Sequence, residues 1–266
     1  MGDRITRDLL STDARPAPLR VKVSDSAADI DSALVIVHRG FVAAGYSDPR
    51  PSGRRMHASY LNPQTVFALA SIDDEPIGTI AMVADGPFGL PSDRAFAEEL
   101  DELRALGPVR EVGSLVIDER WRRHTRRVYM HMLATMVRRA LTADDDTRFV
   151  LAVTPENARF TSGLFNCDVV GESRLLYGAP AVLLCTTRAR LQEHYAEADT
   201  PTRREMRRLV FDPQPEWLEM SLTGVPPPRE WWLPLLEEEG TVARLRNQLA
   251  VLNISHHGPG ADGARG

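Results

Sequence analysis

Cysteine is scarce: Cys167 and Cys185 are the only two in 266 residues. That excludes a disulfide framework and a cysteine-built metal centre, and it suits a reducing compartment such as the cytoplasm. Long apolar runs are also missing. No stretch of 18 apolar residues occurs, so no membrane-spanning helix is expected. The N-terminal MGDRITRDLLSTDARP lacks the apolar segment of a secretory signal. There is no excess of positive charge. A formal net charge of -5 and a pI near 5.8 speak against general nucleic-acid binding. No His-Glu-x-x-His occurs, and His124 and His131 lie seven apart on one predicted helix, so no metal site is expected. Gly86, Gly89 and Gly107 have the wrong spacing for a dinucleotide fingerprint.

What is present is an ordinary globular profile, 43% hydrophobic and 26% charged, long enough to bury a core without cross-links. Residues 1–18 read as a flexible leader. Alternation over Leu19–Val23 predicts a strand, and Asp25/Ser26 can cap a helix carrying Ile30, Leu34, Val37 and Phe41. A long Gly-, Pro- and Ser-rich loop spans 45–65, and loops of that length inside a domain are often functional. A hairpin follows from Val66 to Val83, then a helix from Ser92 to Leu106, a strand over Val109–Ile117 and a helix over Thr125–Leu141. Phe149–Val153, a helix opened by Pro155, and strands at Val169–Gly171 and Ala181–Thr187 complete a mixed α/β domain over 19–188. Residues 189–254 read as a helical, proline-rich extension with a final helix at Leu235–Leu252, and 255–266 as a disordered tail.

One feature sits oddly on an acidic protein. Arg120, Arg122, Arg123, Arg126 and Arg127 crowd directly behind the Val109–Ile117 strand. Five cations at a predicted helix N-terminus oppose the helix dipole, so local helix stability does not explain them. A solvated charged face is the plain alternative. Cys167, Cys185, Met130, Met132 and Met136 read as core fillers, although a methionine-rich face could also line an acyl tunnel.

The element order resembles the GNAT acyltransferase fold, a mixed central sheet flanked by helices. Within it, VTPENARFTSGLFNCDVVGE (Val153–Glu172) resembles the fifth strand and fourth helix. Two stretches are more specific: HRGFVAAGYSDP (His38–Pro49) and DGPFGLPSDRAFAEELDELRALGPVREVGSLVI (Asp85–Ile117) resemble the FeeM-type long-chain N-acyl amino acid synthases, relatives of the acyl-homoserine-lactone synthases. The resemblance covers roughly 19–188. It implies transfer of a fatty acyl group from an acyl carrier protein thioester to the amine of an amino acid or related small amine, with no bound cofactor; the alternatives are a GNAT enzyme using acyl-CoA and a catalytically degenerate GNAT domain that binds a partner.

On that resemblance Glu111, at the head of the central strand, is the candidate base. A structural pairing with Arg110 or the arginine cluster is the alternative. Leu115, Val116, Ile117, Arg120, Arg122, Arg123, Arg126 and Asn157 are candidates for the acyl and phosphopantetheine side, and Arg39, Tyr46 and Ser114 for the amino-acid side. Arg39 would hold a carboxylate, or simply sit favourably at a helix C-terminus. GNAT enzymes cradle the coenzyme A pyrophosphate in a glycine-bearing turn, whereas this turn is R-W-R-R-H-T, without glycine. Arginine forks can instead meet a phosphopantetheine phosphate or an acidic carrier protein, which makes the carrier protein the expected partner and acyl-CoA the alternative donor.

Overall fold

A computed structural model describes residues 18–214, 218–221 and Leu235; the side chains of Arg122, Arg123 and 218–221 lie outside it. The predicted leader, the final helix beyond Leu235 and the tail also fall outside the described residues.

An eight-stranded sheet forms the middle layer. Its strands are β1 (Leu19–Val23), β2 (Val66–Ile72), β3 (Glu75–Ala84), β4 (Val109–Ile117), β5 (Arg148–Val153), β6 (Asp168–Leu176), β7 (Ala179–Thr187) and β8 (Leu218–Ser221). Their order across the sheet is β6-β7-β5-β4-β3-β2-β1-β8. Helix α1 (Ala27–Ala43) opens as its capping sequence predicts, with Ser26 Oγ accepting the Asp29 N–H at 3.2 Å. With α2 (Asp93–Arg104) it covers one face, where Leu34, Phe67, Leu90, Phe96 and Leu183 are buried together. The other face carries α3 (Thr125–Ala140), α4 (Pro155–Phe165), α5 (Arg188–Ala196) and α6 (Pro201–Phe211), around Met82, Met132, Phe149, Leu184 and Tyr195. The methionines of α3 lie in this core.

Three departures from the sequence reading have physical causes. The last strand pair is a long hairpin turning at Tyr177–Gly178, both in the left-handed region (φ 53° and 80°), and β6 is an exposed edge strand whose polar residues hide its period. The extension is not wholly helical, because β8 pairs in parallel with β1 and lengthens the sheet. Within the 45–65 loop, Ala58–Leu61 make a buried 3-10 turn.

Two features of β4 set the site. The strand carries one extra residue against β3, between Gly113 and Val116, and Ser114 takes φ 51°. The bulge shifts the alternation by one, so that Val116, not Leu115, faces α1. There α1 comes so near that a Cβ on Gly40 would stand 2.4 Å from Val116 Cγ1. On its other edge β4 pairs with β5 only from Val109↔Arg148 to Glu111↔Val150, after which the strands part.

Candidate active site

The parting of β4 and β5 leaves a chamber of about 140 Å³, floored by Glu111, Gly113 and Ser114 and closed by Thr154 and Tyr177. Glu111 is 4% exposed. Its Oε2 accepts the Ser92 N–H at 2.9 Å. Ser92, at the N-cap of α2, makes no side-chain cap, and its backbone amide serves Glu111. The second oxygen, Oε1, lies 3.8 Å from where a Gly113 Cβ would stand, so the missing side chain keeps that oxygen open to the chamber. Burial pushes the Glu111 carboxyl up to about 7; the hydrogen bond from the Ser92 amide opposes this and the nearby Asp93 charge adds to it. A carboxylate poised near neutrality with one free oxygen is equipped to take a proton.

The 45–65 loop supplies the opposite wall. The Arg50 N–H donates to His38 Nε2 at 2.9 Å and the Arg55 N–H to the Leu34 carbonyl at 3.2 Å, which binds the loop to α1. Tyr60 Oη lies 2.5 Å from Ser114 Oγ, so the bulge residue is held by the loop. His57 accepts the Ser59 N–H at Nδ1, which leaves Nε2 as its protonated nitrogen. Burial, and then the Arg94 and Arg55 charges, lower its pKa to about 4, so it is neutral at pH 7. Arg55 is buried against Phe41 and Tyr177. Burial holds the Tyr177 phenol protonated far above neutrality.

A second, wider cleft of about 810 Å³ adjoins the first and shares Phe41 and Tyr46 with it. It brings together Leu115, Val116, Ile117, Arg39, Tyr46 and Arg120. Within it, Arg120 is bound to Asp118 at 2.8 Å and Glu75 at 3.0 Å, and Arg39 reaches the same Asp118 at 3.4 Å. Arg126 pairs with Glu205 of α6. Arg39, read from the sequence either as a holder of a substrate carboxylate or as a surface arginine at a helix end, lines this cleft and not the Glu111 chamber, with its side chain 58% exposed. Asn157 sits on the first turn of α4, its Nδ2 donating to Thr154 Oγ1 at 3.1 Å, and it lines neither cavity. Among the described residues no cluster of three metal-ligating side chains occurs, and no helix is long and apolar enough to cross a membrane.

The sequence matches the family described as "N-acyl amino acid synthase FeeM" over residues 32–187. The chain belongs to the FeeM family of N-acyl amino acid synthases. It is an N-acyltransferase with the GNAT-like fold. The structure of FeeM itself, from uncultured soil microbes, is 22% identical, with a TM-score of 0.54 over 68% of this chain and 95% of that one. The AHL synthase LasI gives 13% identity and 0.53 over 65% and 91%. BjaI, a CoA-dependent acyl-homoserine lactone synthase solved with SAM and isopentyl-CoA, gives 16% and 0.50 over 77% and 93%. At these identities the likeness speaks for the fold. No curated protein matches the sequence.

Arg55, His57, Tyr60, Thr154 and Tyr177 escaped the sequence reading. The only signal for the first three was the length of the loop that carries them. Tyr177 was hidden by the unrecognised hairpin, and Thr154 by its place as the plain end of a strand.

Proposed function

We propose that this chain moves a long-chain acyl group from the phosphopantetheine thioester of an acyl carrier protein to the amine of an amino acid, a reaction of the cytoplasm. The observation that carries the reading is Glu111: buried at the point where β4 and β5 part, held through one oxygen and open through the other. The amine nitrogen attacks the thioester carbonyl carbon and Glu111 Oε1 takes the proton it sheds. The resulting oxyanion meets backbone N–H groups of β4 beyond Glu111, where β5 no longer pairs with the strand. Collapse breaks the C–S bond, and the thiolate takes the proton back from Glu111. A thiol of pKa about 8.5 needs little help to leave.

The donor side rests on two features. Leu115, Val116 and Ile117 give the larger cleft apolar lining that suits an aliphatic chain. The turn behind them, Glu119–His124, contains no glycine for close approach to a pyrophosphate, while its arginines suit an acidic carrier surface. The test is direct. Purified protein is given octanoyl and palmitoyl thioesters of acyl carrier protein or of coenzyme A, with a mixture of amino acids. Mass spectrometry is expected to find N-acyl amino acids, with carrier protein the better donor by about 10-fold or more in kcat/KM. Equal use of both donors would remove the carrier protein from the reading. No amide product from any donor would remove the reading itself.

A further inference from the structure

One charge in the Glu111 chamber has no counterpart. Arg55 is 8% exposed, and its guanidinium carbon lies 4.5 Å from the ring centre of Phe41 and 4.8 Å from that of Tyr177. Among the described residues no carboxylate and no hydrogen-bond acceptor meets that guanidinium. Its neighbours are treated differently. Arg54 holds both oxygens of Asp31 at 2.5 and 2.9 Å, and Arg104 forks onto Asp85 and Asp93. Two aromatic faces offset only part of the cost of burying a cation, and they leave the in-plane N–H donors unused.

The position of this fork is specific. Arg55 and Glu111 line the same chamber. Tyr177 lines the same chamber, with the Arg55 guanidinium over its ring. One small molecule reaching both groups must carry an amine at one end and an anion at the other. The anion must be planar and two-pronged to satisfy a guanidinium edge, and a carboxylate is. His57 is neutral, and Arg94, 5.5 Å from the Tyr177 ring centre but not lining the chamber, adds a second positive charge nearby that favours an anion. The Arg39 guanidinium is already turned to Asp118.

We propose that Arg55 reads the acceptor's free carboxylate, so that the enzyme acylates amino acids and rejects simple amines, amino-acid amides and peptide N-termini. This rests on the reading of the Glu111 chamber as the acceptor site. Uptake of substrate completes a buried ion pair that the protein leaves half made, and the fork sets the amine over Glu111 Oε1.

The experiment compares acceptors. The twenty standard amino acids are screened with octanoyl acyl carrier protein, and the best is set against its own carboxamide. In the wild type the kcat/KM ratio of acid to amide is expected to be about 10²-fold or more, the size of losing one partner of a buried charge pair. In Arg55→Met the ratio falls towards one, while Arg55→Lys, with charge but no fork, lies between. Glu111→Gln slows both acceptors alike and keeps the ratio. A wild type that accepts acid and amide equally, or an Arg55→Met enzyme that slows both by the same factor, would show a structural brace and overturn the proposal. A test without variants guards against misfolding. The deaminated acid should inhibit the wild type competitively and the decarboxylated amine should not; the reverse order overturns the proposal. If no amine of any kind is acylated, the acyltransfer reading of this chamber falls together with it.

Discussion

Replacing Glu111 by glutamine separates its chemistry from its cost to the fold. In the folded chain burial lifts this carboxyl from 4.5 to about 7, so between those values the native state holds a proton that the unfolded chain has released. Stability is therefore full below about 4.5, falls as pH rises through 7 and stays low above it. Two and a half pH units correspond to about 3 kcal/mol. Glutamine keeps an oxygen for the Ser92 amide and carries no charge, so Glu111→Gln should melt above the wild type at pH 8 by roughly 6–12 °C, with the gap closing by pH 4.5. Scanning calorimetry across that range measures it. If Glu111 is the base, as proposed, the same substitution should lower turnover by about 10²-fold or more. Wild-type kcat should rise tenfold per pH unit up to about 7 and then level off, a limb the variant lacks. Equal melting temperatures of the two proteins at every pH, or a variant with wild-type turnover, would refute the argument.

Other consequences are read in single variants. Gly113→Val puts bulk beside Glu111 Oε1 and should leave the fold intact while lowering kcat/KM for the acceptor by roughly tenfold or more, measured at saturating donor. Gly40→Leu cannot fit against Val116 and should lower stability by about 1–3 kcal/mol in urea titration, as α1 is pushed off β4. Arg126→Ala removes an exposed pair with Glu205, its side chain 69% exposed, and should cost less than about 1 kcal/mol in the same assay. Reversing Arg122 and Arg123 to glutamate should raise KM for acyl carrier protein in a salt-sensitive way, and leave a small acyl-pantetheine donor unaffected.

The sheet and helices were largely legible because burial imposes a period. Leu19–Val23 alternates and pairs as expected, and α1 carries its cap and apolar stripe in plain sight. Glu111 was singled out through the family resemblance, its place at the head of an apolar strand being the local sign. The bulge at Ser114 was not: a serine at φ 51° leaves no local signature, and its conformation is held from outside by Tyr60, 54 residues earlier. Arg55 and His57 were hidden for a related reason. A loop's side chains point where its anchors send them, and here the anchors are His38 and Leu34 of α1, reached through backbone bonds that no residue type announces. The partner of Arg39 was hidden in the same way, since Asp118, 79 residues away in sequence, meets its guanidinium.

The longest stretch of resemblance, Asp85 to Ile117, has a physical reason to hang together. Arg104, at the end of α2, forks onto Asp85 at 2.6 and 3.1 Å and onto Asp93 at 2.8 and 2.9 Å. Asp93 in turn accepts the Leu90 N–H at 2.5 Å, which fixes the turn that presents the Ser92 amide to Glu111. Three charged residues spread over twenty positions thus position one backbone donor. The arrangement also balances charge. Asp93, whose charge adds to the rise of the Glu111 carboxyl, is itself paired with Arg104. The base can then sit near neutrality because burial, the largest influence on it, is not cancelled by a partner. Helix α2 and its preceding turn thus hold the Glu111 carboxylate in place, and on the proposed role of Glu111 they position the base without touching the acyl group.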